Sequence, residues 1–131
     1  MLISFAQKTS ITTQRGDGIT NVKVIPLTTE DNTDKPAILH TLSGEGRTDV
    51  TVAHAVPHRS LSSIHQVQNG GDMYLRYAGA GFNGPVALSA KSYSAKNLHG
   101  GFKDGEARWA GEADGGDSME IKSPGWVGLY F

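Results

Sequence analysis

Apolar and polar residues alternate in short runs along nearly the whole chain, and glycine or polar clusters interrupt them about every eight to twelve residues. A period of two places successive side chains on opposite faces of an extended backbone, so the pattern predicts strands. Residues 1–14 form a first extended stretch, with Ile3 and Phe5 on one face, and Arg15-Gly16-Asp17-Gly18 is a turn. In 19–27, Val22 and Val24 share one face while Ile25 and Leu27 share the other. That split predicts a bulge or a strand buried on both sides. After a polar loop come a short strand at 37–42 and a cleaner one at 49–56, where Val50, Val52 and Val56 lie on one side and Pro57 ends the run.

Residues 64–68 lead into Asn69-Gly70, which signals a tight hairpin. The next run puts Met73, Leu75 and Tyr77 on one face. Beyond a glycine-rich loop at 79–85, alternation resumes over 86–93 and again at 106–110, 118–122 and 126–131. Residues 86–99 are the one stretch with helix-forming composition, which Gly100 would cap. About nine or ten short strands cannot shelter their apolar faces in one flat sheet. The expected architecture is all-β: a single domain over residues 1–131, an antiparallel β-sandwich of jelly-roll type, with a β-trefoil or barrel as the alternative.

Composition narrows the chemistry. At 131 residues one core suffices, without disulfide or metal. The absence of cysteine removes thiolate ligands and thiol nucleophiles. Lys and Arg number 12 against 13 Asp and Glu, for a formal charge of −1. That balance argues against nucleic acid as a partner, since a basic face normally neutralises phosphates. No signal peptide or membrane-length apolar run is visible, so a soluble protein is expected, exported if at all by a leaderless route or by lysis. The 17 glycines separate apolar runs, as turns do.

No motif commits the chain to catalysis: there is no Gly-x-Ser-x-Gly elbow and no phosphate loop. The expectation is therefore a non-enzymatic protein with no cofactor and no metal. The acidic loops at 29–34 and 111–117 offer oxygen ligands to calcium but lack the helix-flanked spacing, and acidic residues also form ordinary turns. Five histidines are present. His40 shares a face with Ile38 and Leu42, and His54 shares one with Val50 and Val52, a placement commoner for core imidazoles than for zinc ligands. Arg15-Gly16-Asp17 is an adhesion tripeptide that also suits a turn.

Aromatic residues crowd the second half of the chain, Phe5 being the only one before Tyr74. Trp109 alternates with Arg108 and is expected to point inward. Phe82 and Phe102 stand in glycine-rich loops, where a bulky ring either plugs the end of the fold or contacts a partner. The expected function is a binding module that recognises glycan or a membrane surface through these loops, as a lectin or toxin-targeting component does. Its candidate ligand-binding residues are Tyr77, Phe82, Asn83, His99 and Phe102, with Asp72 and Arg76 as polar neighbours. The alternative is a structural, self-assembling or particle-decorating subunit, with a protein partner or a second copy. It is suggested by the apolar run Trp126-Val127-Gly128-Leu129-Tyr130-Phe131, which suits a central strand or a subunit contact.

Overall fold

The period-two pattern becomes twelve strands in the computed structural model, which describes residues 2–5, 8–13, 19–26, 36–44, 46–53, 60–98, 108–112 and 114–131. They are β1 (Leu2–Phe5), β2 (Lys8–Thr13), β3 (Ile19–Pro26), β4 (Ala37–Ser43), β5 (Arg47–Val52) and β6 (Leu61–Val67). The remainder are β7 (Met73–Arg76), β8 (Gly84–Ser89), β9 (Ser92–Lys96), β10 (Arg108–Ala110), β11 (Ser118–Lys122) and β12 (Trp126–Tyr130). Burial alternates along β4, β6, β7 and β11 as the sequence predicts. The helix-like composition of 86–99 yields two strands, β8 and β9.

The strands form two six-stranded sheets, one ordered β1-β3-β5-β7-β12-β9 and the other β10-β8-β11-β6-β4-β2. Among the described residues every pairing is parallel except β8 with β10. This corrects the antiparallel, jelly-roll-like sandwich and the hairpin-built alternatives. The expected hairpin at Asn69-Gly70 is corrected too, because β6 and β7 lie in different sheets. The chain winds as a flattened coil in which each turn gives one strand to each sheet. The strand in the opposite sheet thus serves as the crossover that a parallel pair requires. Alternation misleads here for a physical reason. Parallel strands usually read as continuous apolar runs because both their faces are covered, whereas each of these sheets covers only one face.

The winding has one interruption. After β6 and β7 the chain skips a place, lays down β8 and β9 further out, turns back through β10, and only then fills the gap with β11 and β12. Asp117, just before β11, pins this late insertion. Its buried carboxylate accepts from the Leu61 N–H at 2.7 Å and the Asn83 N–H at 2.9 Å, at or beside the starts of the two strands that flank β11. Its own N–H donates to the Asn83 carbonyl at 2.9 Å. A side chain on Gly84 would meet the Asp117 carbonyl at 1.8 Å, so close an approach admits only glycine. At the other end of the insertion, the Tyr77 N–H donates to the Tyr130 carbonyl and the Phe131 N–H to the Lys96 carbonyl.

The core lies between the sheets. Val22, Val24, Val50, Val52, Leu75 and Leu129 come from one side, and Leu39, Leu61, Val86, Met119 and Ile121 from the other. Each large aliphatic side chain buried this way contributes about 1.5–3 kcal/mol. Exposed ion pairs contribute about 0–1 kcal/mol each, so the core holds the fold and the charges are available for other work.

Candidate aromatic and cationic face of the first sheet

Residues facing away from the core on β5, β7 and β12 gather in the middle of the first sheet. Inward Thr48, Val50 and Val52 on β5 leave Arg47, Asp49 and Thr51 pointing outward. Inward Met73 and Leu75 leave Tyr74 and Arg76 outward, and inward Val127 and Leu129 leave Trp126, Gly128 and Tyr130 outward. The register places Asp49 beside Tyr74 and Tyr74 beside Gly128, and in the next outward row Thr51 beside Arg76 and Arg76 beside Tyr130.

The three rings surround Gly128. Tyr74 and Trp126 meet edge to face with centroids 4.9 Å apart. A Cβ on Gly128 would lie 2.7 Å from the Trp126 ring and 3.4 Å from the Tyr130 ring. The missing side chain therefore lets both rings settle over the strand. The Arg47 guanidinium stacks 4.0 Å from the centroid of Tyr74, and Arg76 stands 5.5 Å from the centroids of both Tyr74 and Tyr130.

Asp49 ties the cations down. Arg47 donates through Nε and Nη2 to its two carboxylate oxygens, each at 3.2 Å, and Arg76 Nη1 lies 3.7 Å from Oδ1. Both arginine side chains remain 41% exposed while Asp49 is only 11% exposed. The carboxylate lies beneath its two partners, whose other N–H groups remain open to solvent. The Arg47 pKa is raised above its ordinary value, first by the hydrogen bond to Asp49 and then by the Asp49 charge, so this cation is permanent. Such partly exposed pairs add little stability. Their effect is to fix guanidinium planes beside aromatic rings on a solvent-facing sheet.

Of the residues expected from sequence to bind a ligand, Arg76 lies within this face and exposed Asp72 precedes β7 at its border. Tyr77 and Phe82 lie in the core, 1% and 8% exposed, with centroids 5.7 Å apart and both against Phe131. Phe82 is the plug of its loop. Asn83 is half-buried and structural in its contacts: its Oδ1 accepts from the Glu112 N–H at 2.6 Å, and its backbone bonds Asp117. His99 and Phe102 lie outside the described residues, as do the Arg15-Gly16-Asp17 turn, the 29–34 loop, His54 and His58. Trp109 is half-buried and in register with exposed Pro85, on the outer side of its sheet rather than inward.

Sequence reasoning missed Tyr74, Trp126 and Tyr130 as a group. A signal was present, since Trp126 and Tyr130 fall two positions either side of Gly128 and alternate with Val127 and Leu129. Outward strand positions that are aromatic in two neighbouring strands mark a surface. Adjacency of β7 and β12, separated by some fifty residues in the chain, could not be read from spacing.

Two other places hold notable polar groups. Inside the core, His65 bonds the Thr41 hydroxyl through Nδ1 and the Tyr77 hydroxyl through Nε2, both at 2.6 Å, and the Tyr77 hydroxyl donates to Ser63 at 2.9 Å. Because Tyr77 gives its proton to Ser63, Nε2 must donate and Nδ1 must accept, which fixes a neutral imidazole. Burial, with a smaller contribution from the His40 charge, lowers the His65 pKa to about 3, and burial raises that of Tyr77. His65, Thr41, Tyr77 and Ser63 are all buried, so they specify the core. On the second sheet, an open depression lined by Leu42, Gln66, Lys122 and Pro124 holds neither an aromatic ring nor a carboxylate. Among the described residues no three His, Asp or Glu side chains converge as a metal site would require.

The chain matches no protein-family model, no curated protein and no solved structure.

Proposed function

We propose that the outer face of the first sheet is a carbohydrate-binding surface, and that the protein acts as a binding module. The observation that carries this reading is the cluster of Trp126, Tyr74 and Tyr130 around Gly128, interleaved with Arg47, Asp49 and Arg76. Sugars have apolar C–H faces and rims of hydroxyls. Rings supply the apolar contact, and fixed polar groups beside them supply directional hydrogen bonds. Parallel strands support this use because their rungs align outward residues across several strands into a broad, shallow surface. A chain of sugars, unlike a compact metabolite, needs no enclosing pocket. The site expected in the glycine-rich loops thus moves to the sheet, with Arg76 and Asp72 retained.

The test is titration of the protein with a panel of soluble polysaccharides, followed by tryptophan fluorescence and calorimetry. Trp126→Ala is expected to weaken binding at least about tenfold, equivalent to ~1.4 kcal/mol. Because the ring is half-exposed, thermal unfolding should change little. Gly128→Ala, which pushes the two rings outward, is expected to weaken binding in the same direction. Failure of the whole panel to bind, or binding that is indifferent to Trp126→Ala, would overturn the proposal.

A further inference from the structure

A row of cations crosses the proposed surface. Lys23 on β3 is in register with Thr51 on β5, Thr51 with Arg76 on β7, Arg76 with Tyr130 on β12, and Tyr130 with Lys96 on β9. Lys23, Arg76 and Lys96 therefore occupy every second strand of one straight row. Neighbouring strands are spaced by ~4.8 Å, so the Cα positions of these cations repeat at about 10 Å. Lys23 and Lys96 are exposed and make no ion pair among the described residues. With Arg47 this face holds four of the chain's 12 Lys and Arg residues, against Asp49 and Asp72, in a protein whose net charge is −1.

We infer that the ligand is an acidic polysaccharide whose negative charge recurs on every second sugar, lying across the strands with its charges over this row. The inference rests on the carbohydrate reading of the same face and adds the ligand's charge, its repeat and its direction. Two pyranose units joined in an extended chain are about as long as two strand spacings. A polymer bearing one carboxylate or sulfate per disaccharide would thus meet a cation at each repeat, with the intervening neutral sugar over Thr51 or Tyr130. Arg76, fixed between Tyr74, Tyr130 and Asp49, supplies a directed guanidinium at the centre. The lysines at either end supply mobile point charges. A single-stranded nucleic acid fits less well, because its charges recur at every nucleotide rather than at every second unit.

The experiment compares affinities of the full chain at low and moderate salt for four probes: hyaluronan, with a carboxylate on alternate sugars; a carrageenan carrying one sulfate per disaccharide; polygalacturonate, charged at every sugar; and a neutral glucan. A poly-dT oligonucleotide is the fifth arm. The expected result is tightest binding to an alternating probe, at least about tenfold over the neutral glucan, weakening as salt rises. Hyaluronan and carrageenan distinguish carboxylate from sulfate as the anion, and preference for either supports the inference. The double substitution Lys23→Gln with Lys96→Gln should abolish that preference while leaving the weaker, Trp126-dependent binding to neutral sugar intact. Equal affinity for neutral and alternating probes would overturn this inference and leave the carbohydrate surface standing. Tightest binding to polygalacturonate would likewise refute the repeat. Tighter binding to poly-dT than to every polysaccharide, or no binding to any probe, would overturn both.

Discussion

Among the described residues, His65 is the buried base whose protonation would disturb the interior. Its folded pKa of about 3 lies below the ordinary value of 6.5 because burial disfavours the charged ring. Between those two values the unfolded chain binds a proton that the folded chain refuses. Stability contributed by the neutral ring is therefore complete above about pH 6.5 and declines as pH falls towards 3, with a slope approaching ~1.4 kcal/mol per pH unit. Protonation would also force Nδ1 to donate towards Thr41, reversing that bond while the order from Nε2 through Tyr77 to Ser63 stays in place. His65→Gln cannot titrate and keeps an amide in the same position. Urea midpoints measured from pH 7.5 down to 4.5 should fall more steeply for the native chain than for His65→Gln, and parallel declines would remove His65 from the account. The sequence placed Met73, Leu75 and Tyr77 on one face, and all three are buried. Its pattern set His40 on an apolar face, yet His65 is the buried imidazole and His40 is only half-buried, an outcome that depends on which faces of β4 and β6 meet the other sheet.

Among the described elements, β11 is laddered to β6 and β8 and is also pinned at its start by a side chain. Asp117 accepts the amides of Leu61 and Asn83 while lying 3% exposed. Asp117→Ala takes this partner from the buried Leu61 N–H, at a cost of ~1–3 kcal/mol, and from the part-buried Asn83 N–H, at a smaller one. Chemical denaturation should accordingly show a loss of that order, whereas Glu120→Ala on the outer face of the same strand should cost well under 1 kcal/mol. Comparable losses for the two substitutions would contradict the pinning role. Strand positions and facing were largely legible in the sequence because a half-covered strand must alternate, as at β7 and β11. Strand direction and neighbours were not legible. Alternation is the same in parallel and antiparallel ladders, and Asn69-Gly70 turns the chain in either setting, here into the opposite sheet. The binding face shared this limit: Tyr74 and Trp126 are distant in sequence and meet only because β12 lies beside β7.

For the molecule as a whole, both sheets depend on the β11–β12 rung at an interior position. Loss of packing there should weaken both halves together. Leu129 is fully buried, and Leu129→Ala should destabilise the protein by ~2–5 kcal/mol. Far-ultraviolet and near-ultraviolet dichroism should still report one coincident transition. Two separated transitions would mean that β2 to β7 stand independently of the rung. Refolding should be slow, on the order of milliseconds to seconds, because the pairings that complete both sheets join residues far apart in the chain.

The same insertion governs how the chain can be made. As it leaves the ribosome, the early coils can close, and β8 and β9 can appear, before residues 118–130 exist to join them. At about 5–20 residues per second, the outer edges of β6 and β7 wait for several seconds beside an empty place. Open strand edges recruit whatever strand arrives first. Where several ribosomes translate one message, the last rung of a leading chain can enter the vacancy of the chain behind it. Crowded ribosomes, and slow translation over residues 68–117 that prolongs the wait, should then favour rung-exchanged dimers, whereas rapid translation of a sparsely loaded message should favour the monomer.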